Sequence, residues 1–323
     1  MKRAPASSPS ILAVAIAIGL LVVVSAIAGQ VTTAAENAPT GDATIRGRAG
    51  ASEIVITTTA RLAGAIHSLA WNGKEFIDSA DHGRQLQSAS NLDRGTPFAP
   101  ETFNPTEAGS RHDGNGPRSS SRLLYLLATD GALQTTTQMA FWLRPGETSD
   151  GQLAKNTATV SNHLLTKRVR IGYKNLPHVI QYDVTFGLPI GEHHNYAQFE
   201  ALTGYMPEGF AKFWRYHPGK DALEPLTDGP GEQRYPVVFA TADGSHALGV
   251  YSPDQPSEGF DNAGYGRWRF EREKVVKWNT VFRVRSADAV PAGDYRYRNF
   301  IVVGDLATVR ASLRALHDEG LKP

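Results

Sequence analysis

Short runs of alternating apolar and polar residues fill the chain from about residue 45 onward, and Gly, Pro, Asn and Asp separate them. Because successive side chains of a strand point to opposite faces of a sheet, a period of two predicts antiparallel strands with one buried face. The predicted strands are 53–59, 65–71, 135–142, 167–173, 179–186, 196–202, 237–240, 248–251, 267–270, 281–284 and 295–303. So many strands in one chain predict an all-β fold built as a large, twisted antiparallel sandwich.

The end of the chain has a different period, which predicts one C-terminal helix over residues 305–319. Asp305 can cap its first turn, and Gly320 can end it. The apolar positions that share one helical face are Leu306, Val309, Leu313 and Leu316. Two long polar stretches, residues 88–121 and 218–235, are predicted to be loops.

The amino terminus predicts export. Lys2 and Arg3 precede an uncharged apolar run over residues 11–28, and Ala26 and Ala28 give a cleavage pattern before Gly29. The run is about 18 residues long, which also suffices for one membrane span. Residues 1–28 are therefore a signal peptide or a retained anchor, 29–44 a flexible linker, and 45–323 a single β-sandwich domain with its helix. Either alternative places the domain in the periplasm, at the cell surface or in the medium.

The amino-acid composition excludes several classes of active site and of binding partner. The chain has 323 residues, a formal charge of +1 and no cysteine, which excludes thiol nucleophiles, disulfides and thiolate zinc sites. No basic tract is available for nucleic acid, and membrane contact is expected only through the N-terminal anchor. Motifs of serine hydrolases, nucleotide-binding enzymes and zinc proteases are absent, so no cofactor and no metal are predicted. The oligomeric state stays open.

Residues 64–69 (GAIHSL), followed by WNGKEF at 71–76, resemble the opening strands of the galactose mutarotase-like (aldose epimerase-type) sandwich family. The hairpin at 235–251 is similar in style. The resemblance covers roughly residues 45–304 and implies a supersandwich whose concave sheet holds a sugar. The family's Asn-His-x-Tyr-Phe-Asn signature is not present, and only His194-Asn195-Tyr196 is similar to it.

A first polar cluster follows the predicted hairpin at residues 81–87 (DHGRQLQ). His82 can serve as a proton donor, and Arg84 can hold a carboxylate or a ring hydroxyl. Gln85 and Gln87 share one face if the segment is extended, and two amides in line suit sugar hydroxyls. The alternative is a solvated loop.

A second polar cluster lies in the loop at residues 103–114 (FNPTEAGSRHDG). Glu107 can supply one of the two carboxyls that a glycosidase requires, and Asn104 and His112 can contact substrate. The alternatives are a plain solvated loop or calcium binding through Asp113 and Asn115.

A third polar cluster, residues 192–200 (EHHNYAQFE), alternates in a way that puts His194, Tyr196, Gln198 and Glu200 on one face of a strand. His194 and Glu200 can form an acid and base pair, Tyr196 and Gln198 can bind sugar, and Tyr205 adds aromatic surface. The alternatives are the polar outer face of an edge strand or a zinc site. Because adjacent histidines point to opposite sides of a strand, only one of them can join Glu200 in such a site unless the strand contains a bulge.

Together these patterns predict an exported carbohydrate-active protein that cleaves a glycan as a glycoside hydrolase or a polysaccharide lyase. The proton-transfer candidates are His194, Glu200, His82 and Glu107. The alternatives are a non-catalytic sugar-binding or envelope glycan-assembly module and a mutarotase-like sugar epimerase.

Overall fold

Antiparallel strand pairs account for nearly all of the regular structure. The structure is a computed structural model and describes residues 39–95, 97–253 and 264–320. The predicted signal peptide or anchor lies outside the described residues, as does the linker up to residue 38. In the described ranges no helix combines the length and apolarity needed to cross a bilayer.

A small four-stranded sheet comes first, with the strands in sequence order. Its strands are β1 (Ala43–Ala49), β2 (Ser52–Thr58), β3 (Ile66–Trp71) and β4 (Lys74–Glu75). The Asn72-Gly73 turn between β3 and β4 has φ values of 49° and 73°, and only residues that tolerate positive φ accept such a turn. The hairpin predicted from this residue pair is confirmed.

The remaining strands run along the rest of the chain. They are β5 (Gln87–Leu92), β6 (Pro105–Thr106), β7 (Arg122–Thr129), β8 (Ala132–Phe141), β9 (Thr148–Ser149), β10 (Gln152–Leu153), β11 (Val160–Tyr173), β12 (Leu176–Leu188), β13 (Tyr196–Pro207), β14 (Lys212–His217), β15 (Ala222–Pro225), β16 (Gly231–Gln233), β17 (Val237–Ala240), β18 (Ala247–Tyr251), β19 (Gly264–Phe270), β20 (Val275–Arg285) and β21 (Gly293–Gly304). β9 and β10 form a two-stranded ribbon, and the others form one large sheet. Every strand predicted from the alternation overlaps one of the strands β1 to β21.

The large sheet folds over on itself. Its order is β15-β14-β17-β18-β21-β12-β11-β8-β6-β5-β13-β20-β19-β16, with β7 paired to β8. β13 and β20 are thus several strands away from β21, yet Phe199 stacks on Tyr295 at 4.9 Å and Phe282 on Tyr297 at 4.3 Å. Such contacts join two facing layers, so the fold is the predicted all-β sandwich.

One helix, α1 (Leu306–Asp318), covers an outer face of the sheet beside β18 and β21. Asp305 caps it by accepting a hydrogen bond from the Thr308 amide at 2.7 Å, as predicted. Val309, Leu313 and Leu316 are buried in a second apolar cluster. A Cβ at Gly249 of β18 would lie 2.8 Å from Val309, so the missing side chain lets the helix approach the sheet.

Candidate functional site

A β-bulge in β13 sets which side chains share a face. Between Glu200 and Thr203, β13 advances by three residues while β5 advances by two, from Ala89 to Gln87. The pairing with β20 shifts at the same place. One extra residue reverses the alternation, so Thr203 and Tyr205 face the same side as Glu200.

These side chains line a cleft of about 390 Å³ over β5, β13 and β20. The residues around it are Asp81, Gly83, Arg84, Gln87, Ala89, Asn91, Glu101, Asn104, Thr106, Trp142, Glu200, Thr203, Tyr205, Phe270, Glu273, Val275 and Lys277. Five of the sequence-predicted residues are among them: Arg84, Gln87, Asn104, Glu200 and Tyr205. The cleft combines carboxylates, amides and aromatic rings.

Glu200 has a cation beside it. Lys277 Nζ lies 3.9 Å from Glu200 Oε2, and the two side chains are 22% and 17% exposed. The ammonium also lies over the rings of Tyr205 and Trp268, 5.6 Å and 5.2 Å from their centroids. Burial alone lowers the pKa of Lys277, but the charge of Glu200 and the Tyr205 hydroxyl outweigh burial and hold that pKa above its ordinary value. Burial raises the pKa of Tyr205.

Arg84 is held by carboxylates of its own segment. Its Nε donates to Asp81 Oδ2 at 3.0 Å, and Nη1 lies 3.9 Å from Asp78 Oδ1. The guanidinium therefore reaches the cleft with its charge already balanced. It suits hydrogen bonding to hydroxyls better than capture of a second anion.

The amides of the cleft are only partly used by the protein. Gln87 Oε1 accepts from the Ala108 amide at 3.1 Å, and Asn104 Nδ2 donates to the Ser90 carbonyl. Asn91 is 6% exposed, and its Oδ1 has no hydrogen-bond partner among the described residues. Since a buried acceptor without a donor costs about 1–3 kcal/mol, a ligand hydroxyl that donates to Asn91 would recover that cost.

His194 does not line this cleft. It precedes the first residue of β13 and is 1% exposed, and its Nε2 lies 3.0 Å from Glu192 Oε2. Its Nδ1 accepts from the Arg94 amide at 3.2 Å. The predicted acid and base pair with Glu200 is therefore not brought together, because the ring turns toward Glu192 before the strand alternation begins.

Tyr196 and Gln198 also lie apart from the cleft lining. The Tyr196 hydroxyl donates to Gln198 Oε1 at 2.9 Å, and the Arg285 guanidinium lies 4.3 Å from the Tyr196 ring centroid. Arg283 Nε donates to Gln198 Oε1 at 3.3 Å. These two predicted sugar contacts are engaged with arginines of β20 instead.

Three other predicted residues, His82, Gln85 and His112, do not line the cleft either. His82 is 1% exposed, and its ring nitrogens lie 2.7 Å and 2.8 Å from the Gly114 and Arg61 carbonyls. Gln85 is fully buried and donates to the His82 carbonyl at 2.7 Å. His112 is exposed on a short 3₁₀ turn.

Glu107 is buried behind the cleft rather than exposed in it. It pairs with Lys167, and both side chains are fully buried. Its Oε2 accepts from the Ser88 amide at 3.1 Å, and Ser88 Oγ donates to the carbonyl of the bulged Ala201 at 2.8 Å. Burial, together with the charge of Glu107, raises the pKa of Tyr182, whose hydroxyl lies 2.9 Å from Ser88 Oγ. Glu107 thus supports the bulge.

Sequence reasoning did not select Asn91, Glu101, Trp142, Thr203 or Lys277, although all five line the cleft. Asn91 and Glu101 lie in the stretch predicted to be a loop. Lys277 reaches Glu200 only through the register of β20 on β13, and no local pattern encodes that register. Thr203 depends on the bulge.

No protein-family model and no curated protein sequence match the chain. Among solved structures, the chain is similar to the GH36 α-galactosidase AgaA from Geobacillus stearothermophilus, with 9% identity and a TM-score of 0.42 over 81% of this chain and 41% of that one. It is similar to the Slr1438 protein from Synechocystis sp. PCC 6803, with 10% identity and a TM-score of 0.42 over 81% of this chain and 96% of that one.

A third similar structure is the heparan sulfate lyase HepC from Pedobacter heparinus, with 11% identity and a TM-score of 0.41 over 83% of this chain and 36% of that one. The chain thus spans 41% of the α-galactosidase and 36% of the lyase. The likeness is weak and concerns the fold alone, and the resemblance to the galactose mutarotase-like family stands at that level.

Proposed function

We propose that the protein is an exported glycoside hydrolase that binds a glycan in the cleft, with Glu200 as one of its two working carboxyls. The observation that carries the proposal is the cleft itself. It places Glu200 and Glu101 together with unfilled amide hydrogen-bonding capacity and with the rings of Trp142 and Tyr205. Aromatic faces suit pyranose rings, and amides suit hydroxyls.

The charges in the cleft favour hydrolysis over β-elimination. Among the described residues that line it are four carboxylates and two cations: Asp81, Glu101, Glu200, Glu273, Arg84 and Lys277. Both cations are next to carboxylates already. Elimination from a uronate requires groups that neutralise the substrate carboxylate, whereas hydrolysis requires a pair of carboxyls. We therefore assign a neutral glycan as the substrate class.

The two carboxyls differ in their surroundings. Glu200 has the ammonium of Lys277 3.9 Å away. Glu101 accepts a hydrogen bond from Ser149 Oγ at 2.7 Å, and the described residues provide it with no ion pair. Its φ of 65° is unusual for a residue other than glycine, and such backbone strain often occurs at functional sites. We assign Glu101 as the second working carboxyl.

Export and the assignment of one sandwich domain, both predicted from the sequence, belong to the same proposal. Export rests on Lys2, Arg3 and the apolar run that follows them. The domain assignment, with residues 45–323 as one sandwich domain, rests on the continuous strand pattern.

The test is turnover by the purified chain on a panel of neutral and uronate-containing polysaccharides. Glu200→Gln should reduce cleavage of the neutral substrate about 10²-fold or more while sugar binding is retained, because the amide keeps the shape and loses proton transfer. Glu208→Gln is the control, since Glu208 is exposed and does not line the cleft. Unchanged turnover by Glu200→Gln, or preference for uronates, would contradict the assignment. A wild type that binds glycans without cleaving them would be a binding module.

A further inference from the structure

Two buried histidines and one carboxylate converge beside the segment that leads into β13. His163 Nε2 on β11 lies 2.8 Å from Glu192 Oε2, and His194 Nε2 lies 3.0 Å from the same oxygen. The three potential ligand atoms all lie within 4.8 Å of one another. The two histidine side chains are 1% exposed and that of Glu192 is 15% exposed, so the carboxylate provides the approach from solvent.

We propose that His163, Glu192 and His194 bind one divalent transition-metal ion of the zinc class. Two imidazole nitrogens and one carboxylate oxygen form a donor set that zinc accepts at about 2.0–2.2 Å. Ligands of a tetrahedral ion at those distances stand roughly 3.4 Å apart. The two distances from Glu192 to the histidines therefore need to lengthen by only about 0.4–0.6 Å, and the fourth position stays free for water.

The surroundings of His194 fit a metal ligand. Its Nδ1 lies 3.6 Å from Oδ1 of Asp93, whose side chain is 2% exposed. A metal-binding histidine commonly donates its second ring N–H to such a carboxylate. Both oxygens of Asp93 also accept from the Asn195 amide at 3.1 Å, which fixes the carboxylate in place.

An apolar ring covers the cluster. Phe103 lies 5.4 Å from the His194 ring and 6.0 Å from the His163 ring, measured between centroids. Such a cover limits the access of water and strengthens the attraction between an ion and its carboxylate ligand.

Without a metal ion, the three side chains form a hydrogen-bond network in which the tautomer of His194 is defined. The Arg94 amide donates to His194 Nδ1, so the proton of a neutral His194 ring is on Nε2 and is donated to Glu192. Metal binding at Nε2 requires that proton to move to Nδ1, which then no longer accepts from the Arg94 amide and donates toward Asp93 instead. The two states therefore differ in the tautomer of His194, which ¹⁵N NMR of the imidazole resolves.

The experiment is calorimetric titration of ZnCl₂ into the full chain after removal of metal with a chelator. We expect one saturable site per chain, a higher melting temperature with zinc, visible absorption of bound Co²⁺, and the shift of the His194 tautomer. Glu192→Gln and His163→Ala should each weaken zinc binding at least about tenfold, by loss of a ligand. His193→Ala is the matched control, because His193 is the exposed neighbour of His194 and should leave binding unchanged.

No saturable zinc binding by the wild type would overturn the proposal. Equal affinity of Glu192→Gln and the wild type would do so as well, as would an equal loss in His193→Ala. Glu192→Gln keeps the size of the side chain, so it serves the test even if His163→Ala fails to fold. None of these measurements uses glycan cleavage, so this proposal and the proposed hydrolase activity stand or fall separately.

Discussion

Lys277 Nζ lies 3.9 Å from Glu200 Oε2, and the two residues belong to adjacent strands, β20 and β13. The carboxylate is thus held beside a positive charge on the floor of the cleft. Tyr205, paired with Lys277 in the register, presents its ring to the same ammonium. Glu200, Tyr205 and Lys277 form one electrostatic unit.

Lys277→Gln should therefore reduce turnover of the cleaved glycan by at least about tenfold, a loss of about 1.4 kcal/mol in transition-state stabilisation. Steady-state kinetics of both proteins measure this loss in kcat/KM. Lys212→Gln, at an exposed lysine of β14, is the control. An unchanged kcat/KM in Lys277→Gln would show that the pair has no part in catalysis.

Removal of one charge from the buried pair of Glu107 and Lys167 should destabilise the fold strongly, whereas replacement of both charged side chains should not. Glu107→Gln leaves the Lys167 ammonium buried without a counter-charge, and we expect a loss of about 3–5 kcal/mol in the free energy of unfolding. Glu107→Gln combined with Lys167→Met should recover most of it, since Gln still offers an acceptor to the Ser88 amide. Urea titration of both variants is the measurement. A double variant no more stable than Glu107→Gln would contradict the explanation.

The hydroxyl of Tyr216 should make stability depend on alkaline pH. Burial, together with the hydrogen bond to Asp221 and the charge of Asp221, raises the pKa of Tyr216 from 10.0 to about 12. Because the pKa is raised on folding, the contribution is complete below pH 10 and is lost as the pH rises toward 12. In Tyr216→Phe, the free energy of unfolding should fall less between pH 9 and pH 11.5 than in the wild type, by up to about 2 kcal/mol. Denaturation of both proteins at pH 9 and pH 11.5 tests this; parallel decline in the two would refute it.

Export is tested at the amino terminus. If the signal is cleaved, protein recovered from the periplasm or the medium should begin at Gly29. If the apolar run is retained as an anchor, the intact chain should be in the membrane fraction. Amino-terminal sequencing of each fraction distinguishes these outcomes, and protein found only in the cytoplasm would contradict both.

The sequence predicts the fold better than the site, for reasons visible in particular residues. The alternation predicts most of the long strands because each of them buries one face, but it does not predict β7, several of whose apolar side chains are exposed. β5 escaped detection because all six of its residues are buried, Gln87 and Asn91 included, so it has no alternation to detect. Its polar composition is typical of a loop, and a loop was predicted there.

The bulge in β13 explains why the alternation in the sequence does not predict Tyr205 in the cleft. Strict alternation predicts a row from His194 to Glu200 and cannot place Tyr205 in that row. The extra residue brings Tyr205 into the cleft, and it depends on a hydrogen bond from Ser88, 113 positions away along the chain. Contacts over such separations leave no local signal in the sequence. The partner of Glu200 is likewise Lys277 rather than the histidine six positions before it.

The place of β21 in the large sheet constrains how the chain can fold as it is made. β21 pairs with β18 on one side and with β12 on the other, although it follows both of them, and every other described strand, along the chain. Until residue 304 has left the ribosome, these two strands cannot be joined, and the apolar face that α1 covers has no cover. The large sheet therefore becomes continuous only after β21 has been made, and a chain that ends before β21 exposes the edges of β12 and β18.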